Sequence, residues 1–251
     1  MAHYAFWRYV ALRNQVGRDS GHRYRSKIKT CQATNLVTKT PLFLLQKKLN
    51  KKSQSIEKSV ASRIYGRGRG CVFSPNDFLD LGSRQAVGLA LHRLTRAGTI
   101  RSLCRGLYYF PKSSALLGEL YPTIEAVTKA VIARDDVKLQ PFGAYAANLL
   151  GLSEQVPAKV VFLTDGSARK VKLGKLIIEF RPATSRQMAT AGRTSGLVFS
   201  ALRYMGKQHL SQQFITHLSN VLSPADRKRL ICDLHYAPAW MHAALRQIAP
   251  N

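Results

Sequence analysis

The segment that carries most of the fold prediction is SPNDFLDLGSRQAVGLALHRLTRAGTIRSLCRGLYYF, residues 74–110. It opens with a helix-start pattern, because Ser74 is a good N-cap, Pro75 fits the first helical position and the charge of Asp77 suits the helix dipole. Gly82 follows shortly afterwards and favours a stop. We therefore predict a short helix at the beginning of the segment.

A longer helix is predicted directly after it, from the N-cap Ser83 to about Ala97, with Gly98 as its stop. At about 100° per residue its apolar side chains fall on one stripe, which we expect to pack on the neighbouring helices. The members of the stripe are Val87, Ala90, Leu91 and Leu94.

Two short β-runs complete the segment, Thr99–Leu103 and Leu107–Phe110. Cys104-Arg105-Gly106 lies between them as a turn that contains glycine, and Pro111 ends the second run. This pattern predicts a β-hairpin.

The segment is preceded by another predicted helix, over about Ser55 to Tyr65, where Ile56, Val60 and Ile64 recur at helical spacing. Gly66 favours its stop. Helix, short helix, helix and hairpin follow one another in the order of a winged helix-turn-helix. We assign that fold to residues 55–115.

Residues 116–251 are predicted to form a separate α+β domain, so the fold class is α+β with a winged helix-turn-helix in front. Helical and β-type patterns are mixed along this part of the chain, with no internal repeat. The predicted helices are Thr123–Arg134, Gly143–Leu150, about 195–205, about 211–221, one that starts at Ser223 and Pro238–Ile248. The predicted strands are Lys159–Thr164, Val171–Leu173 and Leu176–Phe180.

The net charge is the most unusual property of the composition. The chain has 39 Lys and Arg against 13 Asp and Glu, a net charge of +26. Self-repulsion of this size indicates a polyanionic partner, either nucleic acid or an anionic membrane. The excess is +11 in residues 1–54, +7 in residues 55–115 and +8 in residues 116–251.

Residues 1–54 are predicted to be a basic, disordered or weakly helical extension, because they have 12 basic residues, one acid and no sustained period. Three interpretations stay open for it: a DNA-binding arm, a targeting presequence, or an over-extended translation start. Nothing in this segment is needed by the predicted domain that follows.

The composition also excludes several classes of protein. An apolar fraction of 45% is that of a globular chain, and no run approaches the roughly 20 apolar residues of a membrane span. The N-terminus lacks the apolar core of a secretory signal, so we expect a cytoplasmic protein. The four cysteines are isolated, which favours small buried residues in a reducing compartment, without disulfides, metal ligands or a cofactor.

The residues expected to contact DNA lie on the longer helix, the hairpin and one loop. The helix face opposite the apolar stripe carries Gln85, His92 and Arg96, which can bind base edges or phosphates, with Gly88 at its edge. The acids of this part of the chain lie on the two supporting helices instead. The full set of candidates is Ser83, Arg84, Gln85, His92, Arg93, Arg96, Arg101 and Arg105, with Arg67 and Arg69 in the glycine-rich loop.

Several of these segments resemble the AbiEi-type antitoxins, which are transcriptional regulators of bacterial type IV toxin–antitoxin and abortive-infection systems. The resemblance covers about residues 55–250 and leaves the first 54 outside. It rests on Ser62–Gly70 (SRIYGRGRG), Asp77–Gly82 (DFLDLG), Arg93–Ile100 (RLTRAGTI), Arg105–Pro111 (RGLYYFP), Leu139–Leu152 (LQPFGAYAANLLGL), Val156–Gly166 (VPAKVVFLTDG) and Tyr236–Met241 (YAPAWM).

The resemblance implies a winged-helix domain that binds repeats in its own promoter and a C-terminal domain that counters a nucleotidyltransferase-like toxin encoded next door. It assigns no toxin-countering residues, and a direct complex with the toxin stays open. By position, the resemblance implies that six residues contact DNA: Arg84, Gln85, His92, Arg96, Arg101 and Arg105.

The main alternative is an RNA-binding protein or an orphan regulator without antitoxin activity. The basic extension and the tyrosines of the hairpin would suit an RNA-binding protein. An enzyme is not expected. Asp165 and Glu179 echo a metal-dependent nuclease only faintly, and the pair Asp135-Asp136 fits a helix cap better than a metal site. A membrane-surface protein would depend on residues 1–54 alone.

Overall fold

The computed structural model of the protein describes residues 56–116, 118–155 and 157–249. The prediction for residues 1–54 therefore lies outside the described part of the chain. The described residues form a mixed α+β protein, which confirms the predicted fold class at that level.

Helices and strands are numbered here in chain order. The helices are α1 (residues 56–67), α2 (Arg84–Arg96), α3 (Ile124–Asp135), α4 (Ala144–Leu149), α5 (Ser185–Met188), α6 (Thr194–Met205), α7 (Gln212–Val221), α8 (Pro224–Cys232) and α9 (His242–Ile248). The strands are β1 (Val72–Phe73), β2 (Arg101–Cys104), β3 (Leu107–Tyr109), β4 (Lys112–Ser114), β5 (Gly118–Leu120), β6 (Leu139–Phe142), β7 (Lys159–Thr164), β8 (Arg169–Leu173) and β9 (Leu176–Pro182). Short 3-10 helices occupy Pro75–Phe78, Lys207–His209, Leu234–Tyr236 and Ala239–Met241.

The end signals of helix α2 are those that the sequence indicates. The hydroxyl oxygen of Ser83 accepts a hydrogen bond from the backbone N–H of Ala86 at 3.3 Å, which caps the first turn. Gly98 follows the helix with a φ of 74°, a left-handed conformation that favours glycine. The predicted bounds of α2 are thus confirmed.

The first core lies between the two long N-terminal helices and one small sheet. The sheet is antiparallel with strand order β1-β3-β2, so that β3 is its centre. Phe73 on β1 stacks against Tyr108 on β3, with ring centroids 6.4 Å apart, and meets Phe78 edge-on. The buried members of this core are Val60, Ile64, Phe73, Phe78, Val87, Ala90, Leu91, Leu94, Ile100 and Phe110.

The second core is built on a four-stranded sheet with strand order β6-β7-β9-β8. Strands β7 and β9 are parallel, and the two outer pairs are antiparallel. Helices α4 and α6 pack together, and α6 also contacts β6. The inward residues of the sheet include Val160, Phe162, Val171, Ile178 and Phe180, all nearly or fully buried.

Strand β3 contributes to both cores, because successive residues of a strand point to opposite faces. Tyr108 packs on the first core, whereas its neighbour Leu107 is fully buried in the second. Val72, Leu103 and Cys104 also pack against the second core. The small sheet is therefore covered on both faces. The predicted domain division near residue 115 is not tested by this arrangement.

Some predicted elements differ from the structure in extent. The helix that starts at Pro75 is a single 3-10 turn ending at Phe78, well before Gly82. Helix α1 runs through Gly66, and the left-handed glycine that follows its end is Gly68, with a φ of 83°. The last predicted helix is divided into the 3-10 turn Ala239–Met241 and α9.

The described cysteines are free thiols, but their predicted burial is only partly right. Cys71 and Cys104 are half-buried, and burial raises the pKa of both thiols. Cys232 is exposed, because it lies at the end of α8 on its outer side. None of the helices in the described residues combines the length and the apolar character that crossing a bilayer requires.

Candidate nucleic-acid interface

Helix α2 presents an exposed polar face opposite its buried stripe. The stripe of Val87, Ala90, Leu91 and Leu94 is buried in the first core, as predicted. The exposed side chains on the other side are Arg84, Gln85, Leu89, His92 and Arg96. Leu89 is 45% exposed, an apolar contact surface among polar neighbours. This face of α2, together with Ser83, is called the α2 face below.

Four polar side chains of the α2 face have no partners among the described residues. Arg84, Gln85, His92 and Arg96 form no side-chain hydrogen bond or ion pair there. All four are exposed. Their donors are therefore available to an external acceptor such as a phosphate or a base edge.

The carboxylates of the same part of the chain are paired elsewhere. Asp80 accepts two hydrogen bonds from Arg63 at 2.6 and 2.7 Å, which lower the pKa of that carboxyl group. Asp77 accepts from the backbone N–H of Ser74 at 2.7 Å. Glu57 pairs with Arg93 at 3.2 Å. No carboxylate of residues 56–115 thus lies on the α2 face.

Four of the candidate arginines are engaged within the protein, and three of them lie around the first core. Arg93 is the partner of Glu57 and is half-buried. Arg67 belongs to helix α1 and pairs with Asp77 at 3.3 Å, and Arg69 lies over the ring of Phe110 at 5.0 Å. The predicted placement in the glycine-rich loop is wrong for Arg67, which lies in the last turn of α1, and right for Arg69, which lies in the turn that follows. Both guanidinium groups contact aromatic rings of the first core.

The hairpin of β2 and β3 is held at its turn as well. Arg105 is exposed, but its carbonyl oxygen accepts a hydrogen bond from the guanidinium of Arg134 at 3.0 Å. Arg134 also pairs with Asp135 at 2.7 Å. The turn is therefore fixed against the C-terminal end of α3. The backbone of Arg105 is thus engaged within the protein, and its side chain is available for an external contact.

A cleft opens where the small sheet meets the larger one. Arg101 donates to the carbonyl of Gly98 at 3.4 Å and pairs with Glu119 at 3.5 Å. The hydroxyl of Tyr109 donates to the same carboxylate at 2.8 Å, and burial together with this bond raises the pKa of Tyr109. The cleft has a volume of about 480 Å³ and is lined by Arg101, Ser102, Leu103, Tyr109, Glu119, Tyr121 and Lys172.

The cleft residues that lie outside the predicted hairpin are Glu119, Tyr121 and Lys172, and the sequence did not indicate any of them as a site residue. Glu119 and Tyr121 lie on or directly after β5, and Lys172 lies on β8, far along the chain from Arg101. The alternation of charged and apolar residues in Lys170–Leu173 was the available signal for an outward-facing lysine. No local signal links it to Arg101.

Asp165 and Asp136, two of the acids considered as metal ligands, directly follow β7 and α3. No cluster of three His, Cys, Asp or Glu side chains that could hold a metal ion occurs among the described residues. Asp165 accepts a hydrogen bond from the backbone N–H of Lys138 at 2.8 Å. Asp136 ends α3 in a left-handed conformation with a φ of 51°, and so serves as the expected helix cap.

Gly88 lies within α2 and has open space on its outer side. No described atom comes within 4 Å of the position that a Cβ would occupy there. Packing within the described residues therefore does not require a glycine. We expect Gly88→Ala to raise the free energy of unfolding by about 0.5–1 kcal/mol, because alanine is the better helix former.

The same variant measures how closely a ligand approaches α2. If a groove wall contacts the helix at this position, Gly88→Ala weakens duplex binding while it raises the melting temperature. Thermal unfolding and duplex titration on one sample give both values. Unchanged duplex affinity would contradict a close approach at Gly88, and a lowered melting temperature would contradict the open space described here.

The fold and the site together define an α+β protein with an exposed basic helix. The chain belongs to a family described as "Family of unknown function (DUF6088)", whose sequence model matches residues 59–230. Comparisons with curated proteins and with solved structures found no match. The matched range includes α2, the three-stranded and four-stranded sheets and the cleft between these two sheets. The family description assigns no activity, so the resemblance to AbiEi-type antitoxins stays a prediction.

Proposed function

We propose that this protein is a DNA-binding transcriptional regulator in which residues 56–110 act as a winged helix-turn-helix. The order α1, β1, a short turn, α2 and the β2–β3 hairpin supports the proposal. So does the position of β3 between β1 and β2. In this proposal α2 is the recognition helix and the hairpin is the wing.

The observation that carries the proposal is the one-sided distribution of charge around α2. Its outer face holds unpaired Arg, Gln and His side chains, whereas Glu57, Asp77 and Asp80 are each bound to an arginine outside this face. A major groove about 12 Å wide admits one α-helix, and its base edges present acceptors to such donors. An acid on this face would repel the phosphates, and none is present in the described residues.

The two ends of α2 would have different roles. Ser83 and Arg84 lie at the N-terminus, where backbone N–H groups and the helix dipole favour a phosphate. Gln85 and His92 follow along the face and suit base edges, as an amide matches adenine and a ring nitrogen matches an acceptor or donor. Arg96 and Arg101 extend the basic surface past the C-terminal end.

Duplex binding by the full chain tests the proposal directly. We expect the protein to bind a duplex from the region upstream of its own gene more tightly than a scrambled duplex or a hairpin RNA. The logarithm of the binding constant should fall steeply with the logarithm of the salt concentration. Gln85→Ala should relax the preference at one base position by about tenfold, since a bidentate contact accounts for ~1–3 kcal/mol. Equal binding of all three ligands would contradict sequence-specific recognition.

We further propose, on the resemblance alone, that the regulator is the antitoxin of a bacterial type IV system and acts without catalysis in the cytoplasm. Its gene should lie beside one for a nucleotidyltransferase-like protein, and its expression should relieve the growth arrest that this neighbour causes. Relief of arrest separates an antitoxin from an orphan regulator. Persistent arrest with intact DNA binding would support the orphan regulator.

A further inference from the structure

The outward face of the larger sheet carries a cluster of charges that the proposed recognition helix does not use. Strands β7, β8 and β9 alternate, so that their inward residues fill the second core and the residues between them face outward. The charged outward residues are Lys159, Lys170, Lys172, Glu179 and Arg181, a group called the sheet face below.

One carboxylate is shared among three cations on the sheet face. Glu179 pairs with Lys159 at 2.6 Å, with Arg181 at 2.9 Å and with Lys170 at 3.8 Å. Hydrogen bonds from Arg181 and Lys159 lower the pKa of Glu179 to about 2. The carboxylate is therefore ionised throughout the neutral range, and four cations still exceed it by three charges.

The cations of the sheet face are open to solvent, whereas the carboxylate is not. The side chain of Lys170 is 70% exposed and those of Lys159 and Arg181 are each 48% exposed, against 13% for Glu179. A large ligand would therefore meet ammonium and guanidinium groups first. Exposed ion pairs of this kind contribute little stability, so the cluster has little structural reason to be so strongly basic.

The sheet face continues from the end of the recognition helix. Arg101 begins β2 shortly after Arg96, the last residue of α2. Strand β2, an edge of the small sheet, lies beside β8, an edge of the larger one. Arg101 and Lys172 line the same cleft between these two edges. A single elongated polyanion could thus contact α2, Arg101 and the sheet face together.

We propose that the sheet face binds the phosphate backbone of the DNA that flanks the segment read by α2, an inference that rests on the proposed function. A backbone contact fits because lysine and arginine bind phosphates without reading sequence. The C-terminal part thereby adds affinity and α2 adds sequence preference.

The first test compares duplexes of two lengths with the full chain. The short duplex holds only the bound core, and the long one adds about ten base pairs on each side. We expect the triple variant K159Q/K170Q/K172Q to lose about tenfold or more in affinity for the long duplex and little for the short one. Its salt slope on the long duplex should fall by about two to three, the number of phosphate contacts removed.

A matched control carries the same loss of charge elsewhere. The triple variant K207Q/K228Q/R246Q changes exposed cations of the C-terminal helices and turns, and removes three charges as well. It should keep the affinity of the unmodified protein for the long duplex. An equal loss in both triple variants would indicate a general effect of net charge and would overturn the proposed site.

A variant that gains affinity tests the site in a way that misfolding cannot imitate. Glu179→Gln releases Lys159 and Arg181 from their ion pairs and removes the one negative charge of the sheet face. We expect it to bind the long duplex about threefold more tightly, the effect of one unit charge several ångströms from a phosphate in water. The gain should vanish on the short duplex.

The outcomes separate this proposal from the proposed function. One outcome is that the α2 face variants lose affinity, while the sheet-face triple variant and Glu179→Gln both leave long-duplex binding unchanged. This outcome overturns the sheet-face proposal and supports the proposed function as a DNA-binding regulator. If the unmodified protein binds no duplex, both fail together. If the triple variant weakens only the binding of single-stranded RNA, the flanking-DNA proposal is likewise overturned.

Discussion

The double variant R84A/R96A should lose at least about 30-fold in affinity for the upstream duplex. Each arginine that contacts a base or phosphate contributes ~1–3 kcal/mol, so two of them account for a loss of this size. Fluorescence anisotropy at fixed salt gives the ratio. The log–log salt slope should fall by about two if both contacts are to phosphates.

This loss should occur without loss of folding. Arg84 and Arg96 are exposed and have no ion pair in the described residues, so neither removal breaks a contact there. Their effects on the helix dipole oppose each other, because Arg84 lies at the unfavourable N-terminal end and Arg96 at the favourable C-terminal end. The melting temperature should therefore change little.

The matching control is K228A/R246A, which removes two exposed cations from α8 and α9. It should bind the duplex within about twofold of the unmodified protein. The assignment of α2 as the recognition helix fails if R84A/R96A and K228A/R246A bind equally well, or if the first variant loses its fold along with its affinity.

Leu107→Ala should produce a large loss of stability. Leu107 is fully buried on the central strand of the small sheet and belongs to the second core. Truncation of a buried leucine costs about 3 kcal/mol through lost transfer free energy and the remaining cavity. For a chain of this size, this corresponds to a fall in melting temperature of roughly 6–12 °C.

The parts of the chain that Leu107→Ala destabilises are as informative as the size of the loss. Because Tyr108 on the same strand packs on the first core, hydrogen exchange should quicken in α2 and in α6 together. Leu116→Ala is the control, since that side chain is 94% exposed and its loss should leave the free energy of unfolding unchanged. Faster exchange in α6 alone would mean that the two cores unfold independently.

The local elements could be predicted from the sequence wherever end signals and periodicity agree. Helix α2 and strand β7 have the expected bounds, because their caps, glycines and apolar spacing are local. Strand β1 was missed, since two residues are too few to show an alternation. Strand β6 was missed because Pro141 interrupts it, which is tolerated at this edge of the sheet.

Whether each candidate arginine is paired within the protein could not be predicted in the same way. Arg69 donates to the carbonyl of Pro111 at 3.2 Å, and Arg101 pairs with Glu119. These partners are set by the fold and carry no mark in the spacing of the residues. The sequence indicates that a basic surface exists, whereas the geometry decides that Arg84 and Arg96 are available and that Arg67 and Arg93 are engaged.

The covering of the small sheet on both faces limits how the protein can be divided or redesigned. A fragment that ends at residue 115 would leave Leu107, Leu103 and Val72 in water, an apolar strip on an otherwise basic surface. Such a fragment should self-associate or precipitate, and grafting it onto another protein would require new partners for those side chains. A substitution on β3 likewise has to suit two interiors at once, which narrows the residues that this strand can accept.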